Sequence, residues 1–184
     1  MRGIEERPEG LAYHPDFMTA DEEQRLLEAM EKTDFREFSM RGQTARRTVR
    51  HYGLDYGYDT WKVVPGDPLP ESLIWMQARC AGLIGVEPDE LAQTLLTRYP
   101  SGAGIGWHRD APMFGTIVGV SLGAPAPMRF QRKVGDERRV FEVELEPRSA
   151  YVLAGDARNK WQHSIPATTE LRYSITFRTL RRRT

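Results

Sequence analysis

The run 171–180 constrains the fold more than any other stretch. Tyr173, Ile175 and Phe177 alternate with Arg172, Ser174, Thr176 and Arg178. Strand side chains alternate with a period of two, so one face of this segment packs on a core and the other carries two guanidiniums. Turned into a barrel, those arginines need carboxylates or phosphates, because a buried unpaired charge is very costly. Turned outward on an edge strand, they need only water or protein acids.

The rest of the chain supplies the other layers. Thr19-Ala20-Asp21-Glu22 reads as a capping box, with Leu26, Leu27 and Met30 following at helical spacing. Pro70-Glu71 opens a second helix with an apolar stripe of Leu73, Ile74, Gln77, Cys80, Leu83 and Ile84, stopped at Gly85. Between them, 41–58 is polar, glycine-punctuated and rich in Arg and Tyr, which predicts a loop or short hairpin. From residue 91 the pattern is strands: 91–99, 116–122, a hairpin of 128–133 and 140–145 around Gly135-Asp136, then 150–153. Helices first and many short strands after predict an α+β chain, a β-sandwich or open barrel with helices outside. At 184 residues this is one domain with a real core.

Bulk charge says nothing about a partner, since 26 Lys plus Arg balance 26 Asp plus Glu. Distribution says more: arginines crowd 36–50 and the tail Arg181-Arg182-Arg183, so a neutral total hides a basic face. The single cysteine, Cys80, excludes an intramolecular disulfide and suits a reduced cytosol, so the expectation is a cytoplasmic monomer. No apolar run reaches the roughly 18 residues of a membrane span. The charged residues 1–10 lack a signal-peptide core.

His108-Arg109-Asp110 follows the glycine-rich approach 102–106. A His and a carboxylate two residues apart point the same way from an extended strand. By itself the pair is equally a surface pair beside a turn. With His163 from a distant strand it completes a two-His-one-carboxylate facial triad, which suits non-haem Fe(II) oxygenase chemistry. Arg172, on the polar face of the next alternating strand, adds an independent requirement, and a dicarboxylate would satisfy both it and Arg178. Tyr99, ending the first barrel strand, either adds a hydroxyl to that carboxylate or is an amphipathic core aromatic.

The residues resemble a known family. Tyr13-His14-Pro15-Asp16-Phe17, Thr97-Arg98-Tyr99-Pro100, Gly106-Trp107-His108-Arg109-Asp110, Val120-Ser121-Leu122-Gly123, His163 and the R-x-x-x-x-x-R block Arg172–Arg178 are similar to the AlkB-like 2-oxoglutarate- and Fe(II)-dependent dioxygenases, in family order. The resemblance implies one catalytic domain over 1–184. N-terminal helices and an Arg/Tyr-rich nucleotide-recognition lid would span 1–90, and a jelly-roll (double-stranded β-helix) core 91–184. It implies Fe(II) held by His108, Asp110 and His163, with 2-oxoglutarate chelating the iron and O2 as the other co-substrate. Arg172 and Tyr99 would hold the far carboxylate, Arg178 would stand near the metal-bound carboxylate, and Thr97, Ser174 and Thr176 would add hydroxyl contacts. Thr97 stands where the family often has Asn, and Pro112 where many base-repair members carry an acid. The implied chemistry is oxidative decarboxylation to succinate coupled to C–H hydroxylation; on an N-methyl group the product collapses to formaldehyde and a free amine.

Arg46-Arg47-Thr48-Val49-Arg50-His51-Tyr52-Gly53, followed by Tyr56, resembles the family's lid. Arginines pair with phosphates and tyrosines stack on an extruded base. The five arginines Arg36, Arg41, Arg46, Arg47 and Arg50 motivate the reading, and Arg47, Arg50, Tyr52, Tyr56 and Arg109 are the expected contacts to alkylated DNA or RNA. His51 is a polar lid contact, His14 structural and Trp161 core. Arg132, Lys133, Arg138 and Arg139 either grip a backbone or are edge-strand charges. The expected function is oxidative demethylation of alkylated bases in nucleic-acid repair. Its rivals are oxidation of a tRNA modification, a protein or a small molecule, and a non-catalytic nucleic-acid-binding module. The intact His108, Asp110, His163 and Arg172 speak against the last.

Overall fold

Local chemistry sets the first elements of the computed structural model, which describes residues 2–40, 42–57 and 62–182, without the side chains of Met40, Tyr56, Lys62 and Val63. Strands β1 (Ile4–Glu5) and β2 (Leu11–His14) precede helix α1 (Ala20–Glu31). Thr19 and Glu22 form the capping box: each side chain accepts from the other's amide, at 3.2 and 3.0 Å. A small ribbon, β3 (Ser39–Met40) and β4 (Gln43–Thr44), leads into β5 (Thr48–Gly57) and β6 (Lys62–Pro65). Helix α2 (Glu71–Ile84) begins after Pro70 and ends at Gly85. Then come β7 (Gln93–Tyr99), β8 (Ile105–His108), β9 (Phe114–Gly123), β10 (Ala126–Val134), β11 (Glu137–Leu145), β12 (Ala150–Leu153), the short helix α3 (Gly155–Asn159), β13 (Gln162–Ile165) and β14 (Arg172–Leu180).

The strands form two main sheets, one in the order β2-β12-β9-β14-β7-β5-β6 and a smaller one in the order β1-β11-β10-β13-β8. This is the jelly-roll architecture with helices packed outside. Leu26 and Met30 of α1 and Leu73, Met76 and Cys80 of α2 cover one face of the larger sheet, packing on Val118, Val120 and Leu122 of β9 and Tyr173, Ile175 and Phe177 of β14. Each such buried Leu or Met contributes about 1.5–3 kcal/mol. The opposite face of the larger sheet turns toward the smaller one. There Ile117, Tyr151 and Leu153 meet Met128, Phe130, Trp161 and Ile165. The polar face of β14 therefore looks into the barrel.

One expectation changes. Much of 41–58 is neither loop nor short hairpin, because residues 48–57 form a long strand, paired with β7 over 48–53 and with β6 over 54–57. The alternation was hidden because the face of β5 turned inward is Val49, His51 and Gly53, not an apolar row. The larger sheet accordingly draws β2, β5 and β6 from the first 90 residues. Arg41 and Tyr58 lie outside the described residues.

Candidate metal centre and co-substrate pocket

Two short neighbouring strands bring the histidines together. His108 closes β8, His163 lies on β13, and the two pair directly across the sheet. Their ring centroids are 4.3 Å apart. Asp110 lies just beyond the end of β8 rather than on it, so the His and the carboxylate share a strand end, not a strand face. Its Oδ1 stands 3.6 Å from Nε2 of each histidine. One ligand atom from each of the three falls within 4.8 Å of the others, close enough for a common ion. Gly104 permits the approach: a Cβ there would stand 2.6 Å from the Ile165 carbonyl oxygen and 2.9 Å from the Ala167 nitrogen, both backbone.

Each ligand is held in its metal-binding form. His108 Nδ1 lies 2.7 Å from the Gly106 carbonyl, and donating there leaves the lone pair on Nε2. Burial, with His108 beside it, pushes His163 down to about 3, so its ring is neutral. Burial alone would raise Asp110, but the Arg178 guanidinium and the two histidines hold it well below the usual carboxylate range. Arg178 donates from Nε and Nη2 to Asp110 Oδ2 at 2.8 and 2.7 Å, which leaves Oδ1 for a metal. Arg178 Nη1 donates to Gln93 Oε1 at 3.1 Å, and Gln93 Nε2 to the Leu54 carbonyl at 2.9 Å. Gln93 went unread in the sequence, although it shares the β7 alternation with Thr97 and Tyr99.

The register gathers the residues expected to bind the co-substrate on one inward face. Arg172 pairs with Tyr99, Ser174 with Thr97 and Arg178 with Gln93 across β7, while Ser174 pairs with Ser121 and Thr176 with Gly119 across β9. Arg172 is 1% exposed. It donates from Nε and Nη2 to Ser121 Oγ at 3.2 and 3.0 Å and lies 5.0 Å over the Tyr99 ring. Its Nη1 is buried without a partner, and no carboxylate pairs with it among the described residues. A buried guanidinium with one orphaned donor fits a ligand carboxylate. Ser121, the residue that aims it, was quoted in a motif but given no role.

The expected substrate contacts divide. Arg47 donates from Nη1 to the Gly104 carbonyl at 3.2 Å, beside the loop entering β8. Arg109 is exposed and donates to the Asn159 carbonyl at 3.3 Å. Arg50 and Tyr52 require correction: they sit on the helix side of the sheet. Tyr52 is buried among the α1 and α2 contacts, and Arg50 lies 4.6 Å over its ring and 2.6 Å from Asp67 Oδ2. The reason is parity, since Val49 pairs with Thr97 and His51 with Leu95 on the inward face, turning residues 50 and 52 away. His51, read only as a lid contact, is therefore the inward residue; burial pushes its pKa down. Tyr56 has its backbone in β5, but its side chain is not among those described. Arg132 and Arg139 are tied to Glu6, and Arg138 to Gln131, which favours structural pairing over a free grip. Trp161 is core.

A family model described as the 2OG-Fe(II) oxygenase superfamily matches residues 10–178. The chain belongs to that superfamily. Within it the chain is AlkB-like. It is 32% identical over 166 residues to "tRNA (carboxymethyluridine(34)-5-O)-methyltransferase alkbh8" of Xenopus tropicalis, a match covering 86% of this chain and 25% of the relative. It is 30% identical over 184 residues to "Alkylated DNA repair protein ALKBH8 homolog" of Arabidopsis thaliana, covering 85% of this chain and 51% of the relative. The chain thus spans a quarter to half the length of these relatives. Among solved structures, "The structure of OsALKBH1" superposes with a TM-score of 0.70 at 15% identity over 95% of this chain and 98% of that one, a likeness of fold.

The residues present fit the Fe(II) and 2-oxoglutarate for which the superfamily is named. Bound Fe(II), with 2-oxoglutarate and O2, supplies the oxidant for C–H hydroxylation. The chain's own residues do the orienting. His108, His163 and Asp110 Oδ1 offer three ligands from one side, which leaves the other side open. Arg178, held on Asp110 Oδ2, would leave Oδ1 to a metal, and Arg172 would offer a ligand carboxylate an anchoring charge.

Proposed function

We propose that the chain oxidatively demethylates alkylated bases in DNA or RNA, a nucleic-acid repair reaction. The observation that carries the oxidative half is the convergence of His108, Asp110 and His163 beside an arginine whose Nη1 lacks a partner. The nucleic-acid half is supported by the names of relatives, which include an alkylated DNA repair protein and, at 22% identity over 178 residues, the "Probable RNA/DNA demethylase ALKBH6" of Danio rerio. Arg47, beside the approach to the metal ligands, and the exposed Arg109 suit phosphate contacts. The test is formaldehyde release from a panel of methylated DNA and RNA oligomers with Fe(II) and 2-oxoglutarate. Release that disappears in His108→Ala and Asp110→Ala supports the reading. Succinate without formaldehyde from any oligomer overturns demethylation.

Oxidation of a tRNA modification is the second reading. It is favoured by the exposed Pro112 where base-repair members carry an acid, and by the tRNA-modifying relative of Xenopus tropicalis. A modified tRNA nucleoside that gains one oxygen without releasing formaldehyde would establish it.

A further inference from the structure

The inward face of the larger sheet carries, besides His51, a further ionisable side chain that the metal centre does not use. Tyr151 on β12 stands opposite Gly119 on β9 and is 7% exposed. Its ring lies over that glycine: a Cβ on residue 119 would stand 2.2 Å from the phenol Cζ and 2.5 Å from its oxygen. Gly119 is thus a cradle that lets the phenol reach across β9. Ser121, the next residue on the same face of β9, holds the Arg172 guanidinium. Same-face neighbours on a strand are about 7 Å apart, so phenol and guanidinium are adjacent over one strand. The Tyr151 hydroxyl has no hydrogen bond among the described residues, and the neighbouring Arg172 Nη1 has none either. Burial pushes the phenol up to about 12, and Arg172 is the charge that most opposes that rise, so the group stays a protonated donor.

We propose that Tyr151 is a co-substrate-binding residue whose hydroxyl donates, beside Arg172 Nη1, to the far carboxylate of 2-oxoglutarate. One carboxylate then satisfies the orphaned Arg172 Nη1 together with the Tyr151 hydroxyl, and the pocket discriminates dicarboxylate from monocarboxylate 2-oxo acids. The inference rests on the dioxygenase reading of the site.

The test is calorimetric titration of the Mn(II)-loaded protein with 2-oxoglutarate, for wild type and Tyr151→Phe. Phenylalanine keeps the ring over Gly119 and removes only the hydroxyl. A hydrogen bond to a charged group lost in a buried pocket raises the dissociation constant about ten-fold. Binding of 2-oxopentanoate, which lacks the far carboxylate, is expected to be the same in both proteins, as is Mn(II) affinity. Gly119→Ala, which displaces the phenol, is expected to weaken 2-oxoglutarate in the same direction. An unchanged dissociation constant in Tyr151→Phe overturns the proposal. So does an equal loss for 2-oxopentanoate, which would make the effect one of packing. A wild type that binds no 2-oxoglutarate overturns the dioxygenase reading itself, which separates the two failures.

Discussion

Replacing Arg172 with methionine is expected to stabilise the ligand-free protein while abolishing co-substrate binding. Arg172 is almost fully buried, and no carboxylate pairs with it among the described residues. Desolvating such a charge costs several kcal/mol. Against that stand two bonds to one serine hydroxyl at 3.0 and 3.2 Å, worth about 1.5–3 kcal/mol together. The stack on Tyr99 adds about 1–2 kcal/mol. Methionine has similar length, fills the space without charge, and leaves only the Ser121 hydroxyl without its donor. The net expectation is a gain of about 1–2 kcal/mol, or roughly 3–6 °C in Tm for a chain of this size. Adding Mn(II) and 2-oxoglutarate, each at about a hundred times its Kd, stabilises the wild type by about 2.7 kcal/mol per ligand. The variant receives only the metal's share, so the order of the melting curves reverses. Thermal unfolding of both proteins with and without ligand measures this. A variant that melts lower without ligand would show that Arg172 is already compensated, and the argument for an anion site would fail.

Gly104→Ala places a methyl group 2.6 Å from the Ile165 carbonyl oxygen, which is backbone and cannot swing aside. The strand carrying His163 must shift, and metal affinity measured by Mn(II) titration is expected to fall about 10–100-fold; an unaltered affinity counts against the close-approach role. Cys80 is buried on the sheet-facing side of α2 and its thiol is pushed up to about 12 by burial, from 9.0. Its contribution to stability is present below pH 9 and is lost as pH rises toward 12. In the native protein at pH 8 only about one thiol in ten thousand is ionised, so a thiol reagent is expected to label it only after urea unfolding. In the metal-free protein, His163 is depressed from 6.5 to about 3. The unfolded chain takes up a proton that the folded one refuses, so stability falls as pH drops from 6.5 toward 3, by at most about 1.4 kcal/mol per pH unit. Urea unfolding of His163→Gln is expected to lack this slope, and parallel curves for the two proteins would refute it.

Helices α1 and α2 were legible because their signals are local: the Thr19–Glu22 box and the Gly85 stop each lie within one turn of the end they mark; the short α3 went unread. Strands β10, β11 and β14 were legible because apolar and polar residues alternate for most of their length, β9 because it is rich in β-branched residues, and β12 as a short apolar run. β8 and β13 are four residues each, with no period of their own, and read as strands only from the ligands they carry. Yet they carry both histidines, so ligand chemistry identified the site where secondary structure did not. Gln93, Ser121, Gly119 and Tyr151 escaped for another reason. Each acts through a neighbour on an adjacent strand, and that neighbour is set by register, which a single sequence does not display.

The substrate side turns on one bit of information, the parity of β5. A slip of one residue would exchange Arg50 and Tyr52 for Val49 and His51 on the inward face. The choice is made by β7, where Gln93 is held inward by Arg178 and Thr97 lies beside Ser174. Once those two face the barrel, pairing of Gly53 with Gln93 and Val49 with Thr97 leaves β5 no freedom. Arg50 and Tyr52 are then a structural pair under the helices, and substituting them is a stability experiment. Arg47, His51 and Arg109 are the members of the arginine- and histidine-bearing segments left near the metal, and phosphate or base recognition has to be argued from them. An arginine-rich run therefore carries substrate meaning only through the face each residue is given, and here that face is dictated by the same Arg178 that orients the metal's carboxylate.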